Sequence, residues 1–133
     1  MYKCDFIVRL PDTDAAGILF YGNYFRLAHE AYEALMGALG YGLKYIIDES
    51  EILLLIAHSE ADYRQSLCLD DEYSVDIRVE KLGDKSFTLA YNFVRKDGQV
   101  CATLRTVHVA LHKGSQKTVS LPEELRIKLA DQT

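Results

Sequence analysis

From Tyr24 the apolar positions fall at Tyr24, Leu27, Ala28, Ala31, Leu35, Ala38 and Leu39, the three-and-four spacing that lines one face of an α-helix. That spacing predicts a helix of about four turns, the only long one in the chain. Asn23 stands in front of it as the expected N-cap, and Gly40 and Gly42 end it. Elsewhere the period is two. Tyr2 to Arg9 alternates loosely and predicts a first strand, followed by a loop at Pro11-Asp12-Thr13-Asp14. Val75, Ile77 and Val79 alternate with Asp76, Arg78 and Glu80; Phe87, Leu89, Tyr91 and Phe93 resume the period after Gly83-Asp84; Val107, Val109 and Leu111 repeat it after Asp97-Gly98. The two glycine-containing turns make these three strands an antiparallel meander. Ile52 to Ile56 is a continuous apolar run leading through His58 and Ser59 towards Tyr63, the pattern of a strand buried on both faces, which a short buried helix would share. Ser120-Leu121-Pro122-Glu123 has the form of a capping box with an early proline and predicts a short final helix. One long early helix against about five antiparallel strands is an α+β arrangement in which the sheet wraps the helix, a single domain over residues 1–133. One helix does not cover such a sheet, so edge strands and leftover apolar surface predict at least a dimer.

Composition narrows the partners. With 49% hydrophobic and 26% charged residues the chain has the balance of an ordinary globular protein with one core. No apolar run is long enough to span a bilayer, and Asp5 stands where a signal peptide would begin its apolar stretch, so a cytoplasmic protein is expected. A formal charge of −5 disfavours nucleic acid and anionic membranes, both of which are met by basic patches. A polyanion such as coenzyme A would need a local basic cluster; Lys81 and Lys85 flank one turn, and Lys113 and Lys117 surround another. Cys4, Cys68 and Cys101 form an odd set without CxxC spacing, which suggests neither a disulfide framework nor a zinc site. They read as reduced, mostly packed thiols.

The chemistry concentrates in Asp12-Thr13-Asp14-Ala15-Ala16-Gly17-Ile18-Leu19-Phe20-Tyr21-Gly22-Asn23-Tyr24, where two carboxylates and a glycine precede the long helix. A helix N-terminus offers unpaired N–H groups and partial positive charge, so a carbonyl oxygen aimed there is stabilised as it becomes an oxyanion. Asp14 would then attack or activate water, while N–H groups near Tyr21 and Gly22 hold the developing charge. The competing reading is that Asp12 and Asp14 only shape a turn, as loop aspartates commonly do. No metal is expected. His29-Glu30-x-x-Glu33 lacks the second histidine of a zincin helix, and His108 and His112 lie roughly 13 Å apart along a strand, too far to chelate one ion. Both are expected to be structural or surface histidines. His58 and Ser59 are adjacent on a strand and point to opposite faces, which argues against a nucleophile pair. Glu30 and Glu33 are the reserve carboxylates.

The block Asp-Thr-Asp-Ala-Ala-Gly, an apolar tetrad, then Gly-Asn-Tyr and a helix, resembles the signature of the 4-hydroxybenzoyl-CoA thioesterase family of hotdog proteins. The resemblance is close in this block and loose through nearly the whole chain. It implies the hotdog fold, a long central helix wrapped by a five-stranded antiparallel sheet, and hydrolysis of an acyl-CoA with no metal or redox cofactor. It also implies catalysis by the second aspartate of the motif, Asp14, and polarisation of the thioester carbonyl by the backbone N–H of Tyr21. Gly17, Gly22 and Tyr24 of the same block join as substrate-binding candidates. Lys85-Ser86-Phe87 resembles the family's Lys-Ser-Phe turn, where Lys85 and Ser86 would meet the coenzyme A phosphates. Family members work as dimers or tetramers with the active site at a subunit interface, so a homo-oligomer is implied. His29-Glu30-Ala31-Tyr32-Glu33, His58-Ser59 and Arg105-Thr106-Val107-His108-Val109 are similar to thioesterases that hydrolyse 1,4-dihydroxy-2-naphthoyl-CoA in phylloquinone and menaquinone synthesis. His58 and Ser59 would then line a neighbour's pocket. Tyr21, where the short-chain branch often carries histidine, favours an aromatic acyl group. Two rivals remain: a thioesterase for short or medium aliphatic acyl-CoA or for acyl-carrier protein, and a non-catalytic module that binds acyl-CoA.

Overall fold

A computed structural model describes residues 1–133. The elements follow in the order β1 (Tyr2–Ile7), α1 (Asn23–Ala38), α2 (Leu43–Asp48), β2 (Ile52–Tyr63), β3 (Glu72–Leu82), β4 (Ser86–Arg95), β5 (Val100–His112) and α3 (Glu123–Ala130), with a short 3-10 turn at Leu10–Asp12. The strands form one antiparallel sheet in the order β1-β3-β4-β5-β2. β3, β4 and β5 are the expected meander, and the alternation read from the sequence is the alternation of burial: Val75, Ile77 and Val79, then Phe87, Leu89, Tyr91 and Phe93, all face the core. α1 buries Tyr24, Leu27, Ala28, Ala31, Tyr32, Leu35 and Met36 against that face. Tyr24 meets Phe93 and Tyr32 meets His108, ring centroids 5.0 and 4.5 Å apart. No helix is long and apolar enough to cross a membrane.

Four local expectations change. Gly22, not Asn23, occupies the N-cap of α1; Asn23 is the first helical residue, and its side-chain Nδ2 donates to the Asp12 carbonyl at 2.9 Å instead of capping. The strand Ile52–Tyr63 is not buried on both faces: it is the last strand of the sheet, with β5 on one side only, and Leu55 and Ile56 are each 46% exposed. The capping box at Ser120 does not form: Pro122 is the N-cap of α3, while the Ser120 hydroxyl donates to Asp84 Oδ2 at 2.9 Å. After the expected stop at Gly40 and Gly42, a short helix, α2, follows. Lys113 Nζ donates to the carbonyls of Ile46 and Ile47 at its C-terminal end, so this lysine caps a helix and is not spare for an anion. Of the thiols, Cys101 is buried, Cys4 half-buried and Cys68 exposed, in keeping with mostly packed cysteines.

Candidate active site

Two aspartates two residues apart meet opposite fates. Asp12 is 7% exposed, accepts the Arg9 N–H at 2.9 Å and forms an ion pair with Arg26 of α1. Arg26 continues to Glu30 at 3.1 Å, so Glu30 belongs to a helix-face charge network. Asp12 is therefore the anchor that ties the loop to the helix. Asp14 is exposed, and its Oδ1 accepts the Ala16 N–H at 2.8 Å in a local turn. No group of the chain binds its Oδ2.

The Asp14 loop is clamped along its length. The Asp14 N–H donates to the Ile18 carbonyl, and the turn between them closes with Gly17 N–H on the Asp14 carbonyl, each at 3.0 Å. Gly17 takes φ +76°, a conformation a side chain makes costly. Thr13 bridges Leu19 and Ile18 bridges Cys68, while the Leu19 N–H reaches the Leu67 carbonyl at 2.7 Å. The loop is thus a small hairpin stitched to residues 67–69, which holds Asp14 at a set place before α1.

Asp14 opens on a cleft of about 340 Å³ that it shares with Ile18, Leu19, Tyr21, Tyr24, Tyr63, Arg64, Gln65 and Ser66. Three tyrosines form its aromatic wall: Tyr21 and Tyr63 meet edge to face at 6.3 Å, and Tyr24 and Tyr63 lie 5.1 Å apart. Burial pushes the Tyr24 hydroxyl up to about 12, and it also raises that of Tyr63, so both stay protonated through the neutral range. The N–H groups of Tyr21 and Gly22 have no acceptor within the chain, and they stand at the positive end of α1. A cleft with a free carboxylate oxygen and unpaired helix-start N–H groups has the two parts needed to attack a carbonyl and stabilise its oxyanion.

Of the residues expected in the site, Asp14, Tyr21 and Tyr24 line this cleft, whereas Gly17 and Gly22 shape its backbone. Lys85 and Ser86 do not join them. Ser86 pairs with Val109 of β5 and Tyr63 with Ala102, seven positions apart along the strand, which is about 23 Å. His58 and Ser59 lie between, on the exposed edge of β2; His58 Nε2 is 3.4 Å from Glu60. Within one chain these four residues are remote from Asp14. Tyr63, Arg64, Gln65 and Ser66 are wall residues that the reading of the sequence did not single out, since only the return of β2 along β5 brings them to the loop. His108 is fully buried between Tyr32 and Phe87, and its Nε2 joins Thr106 and Tyr91 in a chain of 2.8 Å hydrogen bonds. It is the structural histidine expected. No cluster of three or more His, Cys, Asp or Glu side chains is placed to hold a metal.

Residues 8–129 match the thioesterase-like superfamily. The chain belongs to that superfamily. Its relatives include a 1,4-dihydroxy-2-naphthoyl-CoA hydrolase of Synechococcus elongatus, 32% identical over 126 residues, 94% of this chain and 92% of that protein. A second, from Trichodesmium erythraeum, carries the same name and is 34% identical over 122 residues, covering 90% and 88%. Among solved structures, a 1,4-dihydroxy-2-naphthoyl-CoA thioesterase from Synechocystis superposes with TM-score 0.92 at 24% identity over 98% of this chain and 96% of that one. A gentisyl-coenzyme A thioesterase superposes with TM-score 0.85 at 28% identity, covering 96% and 98%. The sheet-wrapped helix of this thioesterase superfamily member is the hotdog fold.

Proposed function

We propose that this thioesterase hydrolyses an aromatic acyl-CoA, of the 1,4-dihydroxy-2-naphthoyl-CoA class, in the cleft beside Asp14. The observation that carries the reading is the pairing of a free Asp14 carboxylate oxygen with unpaired helix-start N–H groups in a cleft walled by Tyr21, Tyr24 and Tyr63. The names of the relatives support the acyl group, and the gentisyl-CoA thioesterase supports a bicyclic or monocyclic aromatic acid in general. Tyrosine rings offer such an acyl group edge and face contacts that an aliphatic chain uses less well.

In this reaction the thioester oxygen turns to the N–H groups of Tyr21 and Gly22 as it gains negative charge. Asp14 serves one of two routes. As a base it takes a proton from water, whose oxygen bonds to the carbonyl carbon; as a nucleophile it bonds to that carbon itself, and water then cleaves the mixed anhydride. In both, the C–S bond breaks, the electron pair leaves on sulfur, and a proton completes the coenzyme A thiol. Incorporation of labelled water oxygen into Asp14 after a single turnover, or trapping of the mixed anhydride, identifies the nucleophile route. No metal or redox cofactor takes part in either.

The working unit of this reading is a homo-oligomer, a dimer or tetramer. The open edge of β2 and its exposed Leu55 and Ile56 support pairing with a second copy. A second copy would also supply the distant Lys85, Ser86, His58 and Ser59 to a neighbour's cleft. The same reading places the enzyme in the cytoplasm, where three unpaired thiols stay reduced. Thiol release from naphthoyl-, benzoyl-, butyryl- and hexanoyl-CoA tests the acyl class. The aromatic esters are expected to lead in kcat/KM by at least about ten-fold; an aliphatic lead would assign the short-chain rival, and tight binding without turnover the non-catalytic one.

A further inference from the structure

Tyr63 ends β2 and reaches across to the start of α1. Its hydroxyl donates to the Tyr21 carbonyl at 3.3 Å, and that same carbonyl accepts the Tyr24 N–H at 3.3 Å. A side chain 48% exposed needs no internal partner, because water serves a phenol equally well. What the bond achieves is local to the backbone. The carbonyl belongs to the Tyr21–Gly22 peptide, which is planar and trans, so holding its oxygen fixes the Gly22 N–H on the opposite side. Rotation of that peptide unit would present a carbonyl where an N–H now stands and reverse the sign of the charge offered to a ligand. On the other side, the Phe20 N–H is tied to the Asp12 carbonyl at 2.9 Å, which also accepts Asn23 Nδ2 at 2.9 Å. The segment is thereby held at both ends, and the N–H groups of Tyr21 and Gly22 are the ones left unpaired between the ties.

We propose that the Tyr63 hydroxyl is a positioning residue for the oxyanion site: by pinning the Tyr21 carbonyl it keeps the Gly22 N–H turned outward, beside the unpaired Tyr21 N–H, to receive the thioester oxygen. This rests on the reading of the Asp14 cleft as a thioesterase site. It separates two roles of one side chain, since the ring is wall and the hydroxyl is pin.

Tyr63→Phe keeps the ring and removes the pin. The expected result is a fall in kcat of about ten-fold, the scale of one hydrogen bond, with KM changed by less than about two-fold. A second readout is the carbonyl stretch of bound phenacyl-CoA, a ketone whose added methylene prevents cleavage. It is expected to move to lower wavenumber on the wild-type protein and back towards its free value on Tyr63→Phe. A purely structural tyrosine would lower Tm and leave the stretch of the folded protein where it was. An active wild-type enzyme whose Tyr63→Phe variant keeps both kcat and the shifted stretch overturns the assignment alone. A wild-type protein that cleaves no acyl-CoA overturns the reading of the cleft and takes this assignment with it.

Discussion

Residues of one type are divided here by their surroundings. Asp12 and Asp14 are both loop carboxylates, yet Asp12 is enclosed by Arg9 N–H and Arg26, whereas Asp14 keeps one oxygen unbound at the mouth of a cleft. Both oxygens of Asp12 are bonded and the group is enclosed, so of the two carboxylates it is Asp14 that is open to a ligand and that the proposed reaction uses. His108 shows the same division among the histidines. Burial, with a smaller contribution from His29, lowers its pKa from 6.5 to about 4, and Nδ1 has no partner. The folded protein therefore resists a proton that the unfolded chain accepts at pH 6.5. The stabilisation linked to neutral His108 is complete above pH 6.5 and is lost progressively as pH falls to about 4, by an amount on the order of 3 kcal/mol. Urea unfolding across this window is expected to show stability falling with pH, and His108→Leu is expected to flatten that slope. An unchanged slope in the variant would assign the pH response to other groups.

At the scale of elements, the regular periods carried the reading and the ends did not. α1 and the β3–β4–β5 meander were legible because each turns one apolar face to a shared core, and a face leaves a period in the sequence. β2 misled because its apolar run, Ile52–Ile56, signals burial without saying by what. In one chain that strand is an edge and the run is left partly exposed; in the proposed oligomer a second copy covers it. The helix α2 has six residues, too few to display a period, and the serine of the apparent capping box found Asp84 instead of its own helix. In the site, Asp14 and Tyr21 were legible as a local motif before a helix. Tyr63 to Ser66 were not, since their place depends on the pairing of β2 with β5 some 40 residues away from the loop. If the β2 edge is the subunit contact, Leu55→Lys is expected to lower the apparent molecular mass in sedimentation, with the monomer's secondary structure retained. A wild-type protein that sediments as a monomer would remove this interface.

Taken as a whole, the molecule uses its sheet as a holder and sets the candidate site at one end of its helix. The clamped hairpin before α1 fixes the carboxylate, the helix start supplies N–H groups, and the last turn of β2 closes the aromatic wall. None of these parts alone would cleave a thioester. Lys85 and Ser86 lie about 23 Å from Tyr63 along the sheet, so on the proposed reading they would meet coenzyme A only at the cleft of a second chain. The most direct test of the central claim is steady-state thiol release from 1,4-dihydroxy-2-naphthoyl-CoA by the wild-type protein and by Asp14→Asn, which preserves size and the turn bond to Ala16. The account predicts turnover by the wild-type protein and a loss of about a thousand-fold or more in kcat for the variant, with KM little changed. Equal rates in the two proteins would contradict it and remove Asp14 from the reaction.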